Sequence, residues 1–262
     1  MRITYKNPGY GHSIDSIMLF QTEEQTPFWS DSLLYFYPML NREHLKKCTL
    51  SDRRQYIYDT LSHAYQNEIK KEIDEKVTAY NHHFLNHKDQ IEDALSEAFQ
   101  IDTRVIFNDL TGNITMNPIG PRFLQEHCFD VFYRNSEKGA LGVSIHEVIH
   151  YIWFSVWHRH FGDCYEEYET PSLKWILSEM VVEPIMRDPR LSAINPYFPR
   201  ENGGCVYPYF QDMVIDGSPI LETLDRFYRA NDMQDFMEIS YPYCRKFEKE
   251  IRAHIRKAEE KF

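Results

Sequence analysis

Cysteine is sparse in this chain: five residues among 262, at positions 48, 128, 164, 205 and 244, with no C-x-x-C pair. An odd, dispersed set argues against a disulfide framework and predicts free thiols in a reducing compartment. No run of 18 apolar residues is present, and Met1–Pro8 lacks the apolar core of a signal peptide. Together these predict a soluble, cytoplasmic protein with no membrane partner. Positive charge is also short: 29 Lys and Arg against 40 Asp and Glu leave a formal charge of −11. That balance argues against a nucleic-acid or anionic-membrane surface. Repeats, low-complexity tracts and linkers are missing, so the expectation is one large domain over 1–262, or two intimately packed ones. Within it, 1–100 reads as a helical N-terminal region, 101–185 as a sheet with the motif-bearing helices, and 186–262 as a loop with C-terminal helices.

Aromatic and helix-compatible sequence is plentiful, with eighteen tyrosines and seventeen phenylalanines. Short helices are expected at 13–21, 28–37 and 42–48, then a long helical stretch from Ser51 to about Gln100, broken near Asn81–His87. Beyond it the composition becomes β-branched. Strands are expected at Thr103–Phe107, Ile114–Asn117 and Cys128–Arg134, with a turn over Asp109–Asn113 at Gly112. An irregular segment, Asp188–Tyr209, precedes helical patterns at 219–231 and 233–260. The fold class expected is α+β, mostly helical: a small, mainly antiparallel sheet packed beside a buried, motif-bearing helix.

That helix is expected from Lys138 to Phe161, with Ser136 as N-cap and Gly162 taking the left-handed conformation at its end. It carries His146-Glu147-Val148-Ile149-His150. Residues four apart share a helix face, so both imidazoles can reach one Zn²⁺ without a loop having to fold around it. Glu147, rotated about 100° from His146, can stand beside the metal and accept a proton from water. The remaining positions are apolar nearly all round, which predicts a buried helix whose polar residues need a common purpose. His158 and His160 lie about 12 Å or more beyond His150 and read as residues favoured by the helix C-terminal dipole. His82, His83 and His87 read as solvent-exposed.

A second helix is expected at Leu173–Pro184, capped by Ser172 and ended by Pro184. Its Glu179 and Glu183 are four apart, so both carboxylates leave one face, and either suits the third ligand position. A His-Glu-x-x-His helix followed about thirty residues later by a helix bearing Glu and a second acid resembles the gluzincin zinc metallopeptidases, the thermolysin-like clan. The resemblance covers residues 138–184. It implies His146, His150 and Glu179 as zinc ligands, Glu147 as general base, and Glu183 where the family often has an Asp that orients a ligand histidine. A metzincin site would require Gly at 153 and His at 156, where Trp153 and Val156 stand.

Gluzincin sites often include a Tyr or His that stabilises the oxyanion. Tyr207 and Tyr209, beside Gly203 and Gly204, are the leading candidates; Tyr241, Tyr243 and His254 qualify by position. In the resembled clan an edge strand binds extended substrate, a role open here to Phe129–Arg134 or Ile114–Asn117. Asp163, Glu166, Glu167 and Glu169 read as a solvated acidic loop. The function expected is zinc-dependent hydrolysis of a peptide or protein substrate. A non-catalytic metal-binding pseudo-enzyme and a metal-free helical interaction protein are the alternatives.

Overall fold

The computed structural model describes residues 2–21, 27–106, 109–162, 168–195 and 204–260. Helix dominates, with two small sheets, so the chain is α+β and mostly helical. It forms two compact units that interleave in sequence: one of Arg2–Asn86, Asp109–Ser144 and Glu259–Phe262, the other of His87–Asn108 and Ile145–Ala258.

The first unit holds a four-stranded sheet, in the order β1 (Arg2–Lys6), β2 (Asp109–Thr115), β4 (Cys128–Phe132), β3 (Arg122–Phe123). The expected antiparallel sheet is corrected: β1–β2 and β2–β4 are parallel, and only β3–β4 is antiparallel. The short β3 occupies the antiparallel place beside β4, and β4 thereby runs in the same direction as β2. The expected edge strands are corrected for the same reason. Both β2 and β4 have neighbours on each side, and the outer strands are β1 and β3. Of the strand expected at Thr103–Phe107, none forms over the described residues Thr103–Ile106. Thr103–Val105 is a 3-10 turn capped by Asp102, and Phe107 lies outside the described residues.

The turn expected at Asp109–Asn113 is instead strand. Gly112 sits opposite Tyr5, and a Cβ there would stand 2.7 Å from the Tyr5 ring. The glycine therefore makes room for a cross-strand aromatic rather than marking a bend. Along the free side of β1, Asn81 accepts from the Tyr5 N–H at 3.0 Å and donates to the Tyr5 carbonyl at 2.9 Å. It thus satisfies an outer-strand backbone that would otherwise be left open. The break expected near Asn81–His87 is absent: α5 runs unbroken over Lys70–Phe99. The irregularity lies earlier, as a π turn at Tyr65–Ile69 after α4 (Leu50–Ala64). The three short helices appear as α1 (Tyr10–Met18), α2 (Pro27–Phe36) and α3 (Arg42–Lys47).

The second unit is helical. The motif helix α6 (Glu137–Phe161), which belongs to this unit from Ile145 on, begins where expected: the Gly139 N–H donates to Ser136 Oγ. It ends at Gly162 with φ 70°. The helix α7 (Leu173–Met186) starts at its Ser172 cap, whose Oγ accepts from the Trp175 N–H at 3.1 Å. Its expected end at Pro184 is corrected by two residues, to Met186. Proline removes one N–H, but Arg187 N–H still bonds the Glu183 carbonyl and Asp188 N–H the Ile185 carbonyl. Every α7 residue from Ile176 to Met186 is buried, and apart from Lys174 in the first turn and Ser178, Glu179 and Glu183 the helix is apolar all round. The rest of the unit comprises α8 (Pro189–Ile194), α9 (Pro208–Gln211), a β5–β6 hairpin (Val214–Ile215, Ser218–Pro219), α10 (Ile220–Ala230), α11 (Met233–Lys246) and α12 (Glu248–Glu259). The helix expected over 233–260 thus divides at Phe247. The hairpin, not expected, turns at Asp216-Gly217 with φ 51° and 74°, the positive values that a tight two-residue hairpin turn demands. No described helix is long and apolar enough to cross a membrane.

Candidate metal centre

Two helices of the second unit supply the site. His146 and His150 leave one face of α6, and Glu179 leaves α7; the ligand-type atoms of all three lie within 4.8 Å of one another. The two Nε2 atoms are 3.0 Å apart. One Glu179 oxygen lies 3.6 Å from His146 Nε2, the other 3.5 Å from His150 Nε2. The imidazole–carboxylate separations exceed hydrogen-bond range. They are close to a ligand–ligand edge of a tetrahedral zinc site, about 3.3–3.4 Å when each ligand stands 2.0–2.1 Å from the metal, while the 3.0 Å between the two nitrogens is shorter than such an edge. At most one proton can lie between two facing ring nitrogens, whereas a cation at the centre of the trio suits all three groups. Donor set and spacing therefore fit a divalent metal.

Burial adds to the fit. The His150 side chain is 0% exposed and that of His146 18%, so water reaches the trio from the His146 side. The His150 ring stacks on Phe154 (6.4 Å, 17°), and Phe154 on Tyr168 (4.3 Å, 18°), which fixes the imidazole plane. Glu147 is 6% exposed and follows His146 directly on α6.

Glu183 is outside the trio. It stands one turn after Glu179, buried, with its Oε1 3.5 Å from Arg187 Nη1. Of the two carboxylates left open by spacing, Glu179 is therefore the one brought to the histidines. Tyr207 and Tyr209 come together as a parallel stack (5.1 Å, 3°), packed against Phe210, with the Tyr207 ring 6.1 Å from Trp175. Tyr241 packs edge-on to Trp157, Tyr243 lies against Phe227 and Phe247, and His254 is on α12. His158 and His160 stay on the last turn of α6, where His160 meets Glu238 at 2.7 Å. Glu169 is exposed, while Asp163, Glu166, Glu167 and Gly203 lie outside the described residues. His82, His83 and His87 are on α5 and form no metal-binding group among the described residues.

Two features escaped the reading of the sequence. Trp175 precedes Glu179 by four residues, a spacing legible on inspection. The pair His12–Asp130, in the first unit, joins residues 118 apart at 3.0 Å and had no local signal.

Against protein-family models, curated proteins and solved structures, the chain has no match.

Proposed function

We propose that the protein is a zinc-dependent hydrolase of the gluzincin type that cleaves peptide bonds. The observation that carries this reading is the convergence of His146, His150 and Glu179 from two buried helices, with Glu147 beside the first ligand. The two imidazoles and the Glu179 carboxylate would hold the metal. A bound zinc would supply Lewis acidity, polarising the scissile carbonyl and making water acidic near neutral pH. Glu147 takes the proton from the attacking water and returns it to the leaving amine. Glu183, one turn beyond Glu179, is proposed to support the ligand set from behind. A Tyr207 or Tyr209 hydroxyl is the proposed oxyanion donor. The four described cysteines, 48, 128, 205 and 244, are unbridged, which favours a cytoplasmic setting.

Burial of His150 and Glu147 favours one alternative, a metal site kept for stability without turnover. Glu147→Gln separates the two readings. On the hydrolase reading the variant keeps stoichiometric zinc and loses activity against a mixed peptide library. Unchanged turnover would remove Glu147 as the base, and wild-type protein that binds zinc without cleaving any peptide would favour the alternative. Protein that takes up no zinc after metal-free purification and re-addition would sink both.

A further inference from the structure

The geometry points to an aromatic subsite beside the candidate metal centre, built by Trp175 and Tyr207, that receives an aromatic side chain of a peptide substrate. It rests on the hydrolase reading above and narrows the substrate class. Trp175 and Glu179 are four apart on α7 and share one face, about 6 Å between Cβ atoms. Helix side chains lean toward the N-terminus, so the Glu179 carboxylate reaches into the turn that Trp175 begins. From Ile176 to Met186 every α7 residue is buried, whereas Trp175 is half-buried. Trp175 is thus the position nearest Glu179 on that face that meets water.

Tyr207 is half-buried too, its ring 6.1 Å from that of Trp175 and tilted by 51°. The tilt makes a wedge rather than a closed stack, and the separation lies in the range aromatic pairs prefer. A third ring laid across the open side of the wedge touches both rings. The wall is fixed from behind. Tyr209 and Phe210 are buried, Tyr209 stacks parallel on Tyr207, and the Tyr207 carbonyl accepts from the Phe210 N–H at 2.9 Å. Fixed half-exposed rings lose little conformational entropy on binding. This is the arrangement expected of a subsite that chooses side chains, while the metal ligands act on the backbone.

The test uses the full-length, zinc-loaded protein and paired peptides carrying Phe or Ala beside the scissile bond. The expected wild-type preference for Phe in kcat/KM is roughly tenfold or more. Trp175→Ala and Tyr207→Ala should each bring that ratio close to one with zinc stoichiometry retained, the Trp175 variant chiefly through KM. Tyr207→Phe should keep the ratio, because the ring and not the hydroxyl makes the contact. A Phe/Ala ratio unchanged in both alanine variants overturns the proposal, as does its collapse in Tyr207→Phe. Should Trp175→Ala fail to fold, Tyr207→Ala carries the same comparison. If wild-type protein cleaves no peptide, the hydrolase reading fails separately, and calorimetry with blocked Phe and Ala peptides decides the subsite. Tighter Phe binding that is lost in the alanine variants supports it, and equal binding overturns it.

Discussion

Both units bury a carboxylate against histidine, and they do so differently. In the first, Asp130 of β4 is fully buried, and His12 of α1 meets its two oxygens at 3.0 and 3.3 Å while Asn113 donates at 3.1 Å. These are closed hydrogen bonds, and they hold the His12 pKa above its ordinary value. The Asp130 bond is the main cause and Asp15 adds to it, against partial burial and Lys6. In the second unit the corresponding separations are 3.5–3.6 Å, and two imidazoles share one carboxylate. The first arrangement is complete by itself and titrates. The second is spaced for something held at its centre. Identical residue types thus carry different chemistry, and a few tenths of an ångström separate the two.

The largest expected effect concerns chemistry at the second arrangement. Glu147→Gln should lower kcat about 10²–10⁴-fold with zinc content unchanged, as read by steady-state kinetics and metal analysis. Next is metal affinity. Glu179→Ala should weaken zinc binding more than about 100-fold, and Glu183→Ala only about 10–100-fold. A competition titration that ranks them the other way would exchange their roles.

The remaining tests address the first unit, where metal should be irrelevant. Gly112→Ala places a methyl 2.7 Å from the Tyr5 ring, an overpacking worth about 1–3 kcal/mol in urea unfolding. The His12–Asp130 pair gives the smallest effect and the one with a pH signature. Because the folded His12 pKa is raised, its contribution is fully present below about pH 6.5, the unfolded value. It is lost as pH rises through the higher folded value. His12→Gln should therefore cost about 1 kcal/mol near pH 5.5, since a third of the imidazole is exposed, and progressively less toward pH 8. Neither penalty should depend on zinc. A zinc-dependent His12 effect would break the contrast drawn between the two units.

Much of the second unit was legible because its signals are local. The His146/His150 spacing, the Ser172 cap, the Gly162 stop and the Glu179/Glu183 pair lie within single helices or at their ends. The sheet was not legible. Residues 2–6 pair with 109–113 across about a hundred residues, and no local pattern shows that the two strands run parallel. Gly112 and Asn81 were misread as turn and break because their roles face a partner strand far away in sequence. The Asp216-Gly217 hairpin was local and readable from its dipeptide.

The sequence by itself determined the histidine pair, the glutamate between them, the helix that presents them and the second helix with two acids in register. Helical periodicity makes all of these consequences of spacing along one segment. Only the tertiary structure decided that Glu179, and not Glu183, meets the histidines, and that Trp175 and Tyr207 stand together one turn away. It alone joined His12 to Asp130. Each of those contacts depends on how separate segments pack, a property that spacing within one segment does not carry.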